Sequence, residues 1–109
     1  MKKMQIVLDE DKIRREGAFD PVALQAGVDD LLVGRYGLVK GEGGFYYENG
    51  QEDGFFGFMS SALILKDRDG FLDNVKTWLW YNSDDMPEPD MFSVEDAKEF
   101  FLSKRAEAV

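Results

Sequence analysis

The stretch Phe71-Leu-Asp-Asn-Val-Lys-Thr-Trp-Leu-Trp-Tyr81 places the tightest limit on the fold, because so many large apolar rings must be hidden within so short a segment. Phe71, Leu72, Val75, Trp78 and Leu79 fall at helical spacing, which predicts a helix across the run. On such a helix Trp78 and Tyr81 share a side and Trp80 points elsewhere. The segment runs into an acidic tail, Met86-Pro-Glu-Pro-Asp90, whose two prolines each remove a backbone donor and bias the preceding residue towards extended backbone. A loop is expected there.

The rest of the chain reads as short elements around that run. Residues 4–8 have the composition of a strand, and the charged stretch Asp9 to Glu16 predicts one or two helical turns stopped by Gly17. Asp20 is placed to cap a helix with Pro21 in its first turn. Leu24, Val28, Leu31 and Leu32 line one face, Phe19 and Leu24 form a hydrophobic staple, and Gly34 or Gly37 ends the helix. The glycine-rich segment 38–54 alternates with Val39 and Phe45-Tyr46-Tyr47 and predicts short strands and tight turns, with Asn49-Gly50 as the hairpin signal. Asp53 is expected to cap a helix from Phe55 to Leu65 that is apolar on nearly every side and therefore buried. Ser93-Val-Glu-Asp96 reads as a capping box opening a last helix, with Val94, Ala97, Phe100 and Phe101 on its apolar face.

The expected architecture is one α+β domain over residues 1–109, mostly helical. It has about four helices and a small antiparallel sheet of two or three short strands, made from the N-terminal strand and the glycine-rich hairpin. A helical bundle is the alternative if 38–48 is irregular. A 109-residue chain with 44% hydrophobic residues can build a single core.

The sequence contains no cysteine and no histidine. Disulfides, thiolate nucleophiles, Cys/His zinc sites and imidazole acid–base chemistry are excluded together. With no apolar leader behind Lys2 and Lys3, a cytoplasmic protein is expected. The chain has 22 acidic and 13 basic residues and a net charge of −9. Phosphate neutralisation needs clustered cations, so neither direct nucleic-acid binding nor an anionic membrane surface is expected. Between Arg68 and Lys98 only Lys76 offsets Asp69, Asp73, Asp84, Asp85, Glu88, Asp90, Glu95 and Asp96.

Few motifs point to chemistry. Asp67-Arg-Asp-Gly70 has its glycine too early for a calcium loop and lacks the closing glutamate. Gly41-Glu-Gly-Gly44 lacks the lysine of a phosphate-cradling loop and carries a repelling carboxylate. Ser60-Ser61 has no histidine to activate it. No catalytic residue, metal or cofactor is therefore assigned, and a non-enzymatic protein is expected. The acidic residues Asp84, Asp85, Glu88, Asp90, Glu95 and Asp96, with Trp80 and Tyr81 as anchors, are the candidate partner-binding set, since aromatic rings bordered by carboxylates make a hot spot for a basic partner.

The string from Asp69 to Asp85, followed by Phe92-Ser-Val-Glu-Asp96 and preceded by Ile6-Val-Leu-Asp-Glu10, resembles a family of small acidic proteins carried on conjugative transposons and related mobile elements of Gram-positive bacteria. That family offers no catalytic residues to carry over. The resemblance supplies a neighbourhood and not a mechanism; mobile elements often carry small acidic DNA mimics, and with the charge of this chain the expectation is a row of carboxylates that fills the basic groove of a host defence nuclease or another DNA-binding protein. The alternative is an accessory protein of the element with no nuclease partner, forming a homodimer through the apolar segments 55–65 and 71–81.

Overall fold

The computed structural model describes residues 1–50, 54–84, 86–88 and 90–107. Among these residues the chain forms five strands, β1 (Lys2–Leu8), β2 (Val39–Lys40), β3 (Phe45–Tyr47), β4 (Val75–Asn82) and β5 (Ser93–Asp96), with the helices α1 (Glu10–Glu16), α2 (Pro21–Asp29), α3 (Gly54–Asp67), α4 (Phe71–Asn74) and α5 (Ala97–Glu107). All five strands join one antiparallel sheet in the order β2-β3-β1-β4-β5. The expected sheet of two or three strands is therefore corrected to five and the expected four helices to five, with helix still the larger share of an α+β fold.

The main error lies in the run that constrained the fold most. Only Phe71–Asn74 is helical, and from Val75 the chain extends as β4 along the whole of β1, pairing Ile6 with Trp78 and Met4 with Trp80. Val75, Thr77 and the rings of Trp78, Trp80 and Tyr81 suit a pleated surface better than a helix, where branched and aromatic side chains crowd the preceding turn. A register shift between Val7 and Leu8 leaves Lys76 as the extra residue of a bulge. Because strand side chains alternate, Trp78 and Trp80 share one face, with ring centroids 5.9 Å apart, and Tyr81 lies on the other.

The helix expected from Ser93 is also displaced. Ser93–Asp96 is the edge strand β5, and the capping function passes to Asp96, whose carboxylate accepts from the Glu99 N–H at 3.0 Å to start α5. The earlier elements follow the sequence closely. Asp9 accepts from the Lys12 N–H at 3.1 Å, and Gly17 ends α1 at φ +72°. Asp20 caps α2 with Pro21 inside the first turn. α2 then widens over Asp30–Arg35, where the Tyr36 N–H reaches back to the Leu31 carbonyl, and Gly37 closes the element at φ +71°. The β2–β3 hairpin turns at Gly41–Gly44 rather than at Asn49-Gly50. Gly44 is required there, because at φ +84° a Cβ would sit 2.5 Å from the Ile6 carbonyl oxygen. The proposed cap at Asp53 lies outside the described residues.

One face of the sheet carries Met4, Ile6, Leu8, Tyr46 and Trp78, all buried, and packs with Ile13, Val28, Leu32, Leu65, Phe71 and Phe101 from the helices. Phe71 and Phe101 close on Trp78 with centroids at 5.1 and 5.2 Å. The expected burial of the 55–65 helix holds for Phe58, Ala62 and Leu65, whereas Leu63 is 49% exposed. The opposite face keeps partial exposure throughout. Val39, Tyr47, Lys3, Tyr81 and Val94 form one continuous row across all five strands.

Candidate partner-binding site

The candidate residues separate once β4 is a strand. Trp80 points to the helix side and Tyr81 to the open side, so the two do not form one anchor. Trp80 packs between Phe58, Phe100 and Phe101, with centroids at 6.5, 6.4 and 5.6 Å. Its indole Nε1 is buried and has no acceptor among the described residues. A hydrogen-bond donor left dry in this way costs free energy unless something satisfies it.

Beside this ring is a cavity of about 190 Å³ lined by Lys2, Phe58, Met59, Trp80, Tyr81, Asn82, Ser93 and Glu95. Glu95 reaches it because β5 pairs Glu95 with Trp80. Ser93 is tied to the end of β4, donating from Oγ to the Asn82 carbonyl at 3.1 Å. The cavity thus joins three of the predicted residues, Trp80, Tyr81 and Glu95, with an apolar wall from α3.

The other acids have different fates. Asp84 is taken up within the chain, since it accepts from the Lys2 ammonium and from the Met1 amino group. Those two hydrogen bonds hold its carboxyl down at about 2, from an ordinary 3.8. Asp96 is the cap of α5. Glu88 and Asp90 stand exposed in the loop after β4, where the Met91 N–H closes a turn on the Glu88 carbonyl at 3.1 Å. Asp85 lies outside the described residues. Among the described residues Glu88, Asp90 and Glu95 make no ion pair, so their charge is unspent.

Two arrangements escaped the sequence. On the open face the Lys3 ammonium sits over four rings, 5.0 Å from the Phe45 centroid, 5.8 Å from Tyr47, 5.2 Å from Tyr81 and 4.3 Å from Phe92. Strand alternation would have placed Lys3 outward, but the rings come from three other segments. Near the other sheet edge, Asp29 accepts from Tyr46 Oη at 2.5 Å and Lys40 Nζ at 2.6 Å, while Gln25 Nε2 donates to both Tyr46 and Asp29. Burial pushes the Asp29 carboxyl up, and the hydrogen bonds from Lys40, Tyr46 and Gln25 outweigh it, so the group ends below its ordinary value. For Tyr46, burial and then the Asp29 hydrogen bond push the phenol upward. This network ties α2 to β2 and β3.

No helix among the described residues is long and apolar enough to cross a membrane. No family model, no curated protein and no solved structure matches this chain.

Proposed function

We propose that this chain is a non-enzymatic acidic binding protein of the cytoplasm. It engages a basic protein partner through the exposed carboxylates Glu88 and Asp90 of the loop after β4 and through Glu95, which lines the Trp80 cavity. The observation that carries this reading is the coincidence, at one end of β4 and β5, of a cavity walled by Phe58, Met59 and Trp80 with Glu95, a carboxylate without an internal cation among the described residues. A partner supplies both complements. Its Lys or Arg side chains meet the carboxylates, and an apolar anchor fills the cavity against Phe58, Met59 and the Trp80 ring. Unpaired acidic charge also accelerates capture of a basic surface and makes it sensitive to salt.

The most concrete version is inhibition of a host nuclease by occupation of its DNA groove, which rests on the resemblance to mobile-element proteins. Asp84, already neutralised by Lys2 and the N-terminus, drops out of the mimicking row. Capture from a Gram-positive lysate at low and moderate salt tests the reading against the triple variant Glu88→Lys, Asp90→Lys, Glu95→Lys. Basic proteins retained by the parent at low salt and lost from the variant support it. Equal retention by the two removes the acidic end as the contact.

A self-associating accessory protein is the second reading, favoured by the open sheet face with Val39 and Val94 more than half exposed. Of the segment 71–81 expected to mediate it, Trp78 is fully buried, whereas Tyr81 lies on the open face. Light scattering showing a salt-insensitive dimer selects this reading.

A further inference from the structure

Between the last turn of α3, the short α4 and the C-terminal turns of α5 lies a cleft of about 360 Å³. That volume falls within the range of small-molecule sites, roughly 300–1,000 Å³. Its apolar part is formed by Leu72 and Phe101, each 6% exposed, and its rim by Lys66, Asp67, Lys104 and Arg105. Three cations and one carboxylate therefore surround one apolar floor, in a chain whose net charge is −9.

The rim cations are held loosely. Lys66 bonds Asp67 at 2.8 Å, Arg105 bonds Asp73 at 2.8 Å, and Lys104 approaches Glu107 only to 3.6 Å. Each pair has at least one side chain more than half exposed, and exposed pairs of this kind exchange partners at little cost. The last turns of α3 and α5 bring partial negative charge to the same region. The three cations offset it, so the mouth does not repel an anion as the rest of this acidic surface does. Lys104 has the longest of the three ion pairs and lies over the Phe100 ring at 5.7 Å, an exposed contact that is also exchanged at little cost.

We infer that this cleft binds an organic anion with an apolar body, an alkyl or aryl carboxylate or phosphate, whose body lies on Leu72 and Phe101 and whose charge meets Lys104 and Arg105. The site shares no residue with Glu88, Asp90, Glu95 or Trp80 and stands apart from the partner-binding proposal. A spectroscopic reporter is built in, since Phe101 stacks on Trp78 at 5.2 Å with the rings inclined by 26°.

Tryptophan fluorescence and calorimetry with four probes test the inference: octanoate, octyl phosphate, 1-octanol and inorganic phosphate. Saturable binding is expected for the first two, with the neutral alcohol and the bodiless anion weaker by about tenfold or more. Whichever amphiphile binds more tightly identifies the preferred charged group. The variant Lys104→Glu, which leaves the Arg105–Asp73 pair in place, should weaken both amphiphiles by about tenfold, and Lys104→Glu with Arg105→Glu further still. Far-UV circular dichroism confirms that both variants keep the fold. Glu42→Gln, at an exposed residue outside the cleft, should leave the affinities unchanged. Binding of octanol equal to that of octanoate, amphiphile affinities unchanged in the Lys104→Glu protein, or no binding by either amphiphile would overturn the inference and leave the cations as companions of the helix ends.

Discussion

The two faces of the sheet are built from the same strands and held by different forces. On the helix side Met4, Ile6, Tyr46 and Trp78 are each 2% exposed or less, and their contribution comes from apolar area removed from water. On the open side Lys3, Tyr47 and Tyr81 keep partial exposure, and the local order comes from an ammonium set among ring faces. Burial scales with area and falls heavily on single residues, whereas cation–π contacts at a wet surface are shared and individually small. Alternation along β1 and β4 thus separates residues that specify the fold from residues free to meet something else.

The strongest way to break that contrast is to truncate neighbouring rings of β4 on opposite faces. Trp78→Ala removes a fully buried indole packed on Phe71 and Phe101, and should cost about 3–5 kcal/mol in urea unfolding. Tyr81→Ala, three residues on, should cost about 1 kcal/mol or less, as for cross-strand pairs on an open face. Comparable losses at the two positions would mean that the open face is covered in solution, which is the signature of a dimer.

Tyr46 sharpens the comparison, because it is a buried-face residue with a polar tip. Tyr46→Phe deletes the O–H donated to Asp29 and should cost about 2 kcal/mol, the scale of a hydrogen bond to a charged acceptor. The pH dependence follows from the two shifts. Asp29 lies below its ordinary 3.8 when folded, so its contribution is complete above about pH 4 and is lost as pH falls towards the folded value. The Tyr46 phenol lies above its ordinary 10.0, so that contribution is complete below about pH 10 and is lost as pH rises beyond it. The variant should therefore lack the phenol's share of the alkaline loss and show a smaller acid loss. Part of the acid limb should remain, since Asp84 titrates towards about 2 through Lys2 and the N-terminus, independently of Tyr46. Unfolding measured from pH 2 to 11 in parent and variant checks both limbs.

Elements with local causes were legible in the sequence. Asp9 with Gly17, Asp20 with Pro21, and Gly37 each act through backbone groups a few residues away, and the pattern shows them. β4 was not legible in this way. The spacing of Phe71, Leu72, Val75, Trp78 and Leu79 satisfies a helix, and the preference for a strand is settled by β1, some seventy residues earlier in the chain. The same holds at the candidate site. Glu95 meets Trp80 only through the β4–β5 register, and the Asp84 carboxylate is ion-paired by Lys2 and the N-terminus, which no local pattern reveals. At α5 the reading missed by one motif, for Asp96-Ala-Lys-Glu99 repeats the spacing of Ser93-Val-Glu-Asp96 three residues later. Asp96→Ala should cost about 1 kcal/mol by thermal melting, the usual loss of an N-cap, and should exceed the loss from Ser93→Ala.

The smallest expected effect lies at the centre of the open face. Lys3→Met keeps an unbranched apolar stem across Phe45, Tyr47, Tyr81 and Phe92 and removes only the charge. An exposed cation–π contact is worth about 0.5–1 kcal/mol, and methionine recovers part of it through sulfur–ring contact, so the net loss should stay under about 1 kcal/mol. Lys3→Glu carries a different expectation, because a carboxylate meets the negative faces of the same four rings and joins an already acidic surface. It should cost more than Lys3→Met, with Phe92 losing its place over the strand before the core yields, visible as shifted Phe92 and Tyr81 ring protons in NMR spectra at unchanged Trp78 resonances. If Lys3→Glu instead perturbs Trp78 first, the two faces are coupled through β1 and the division between fold-specifying and free residues fails.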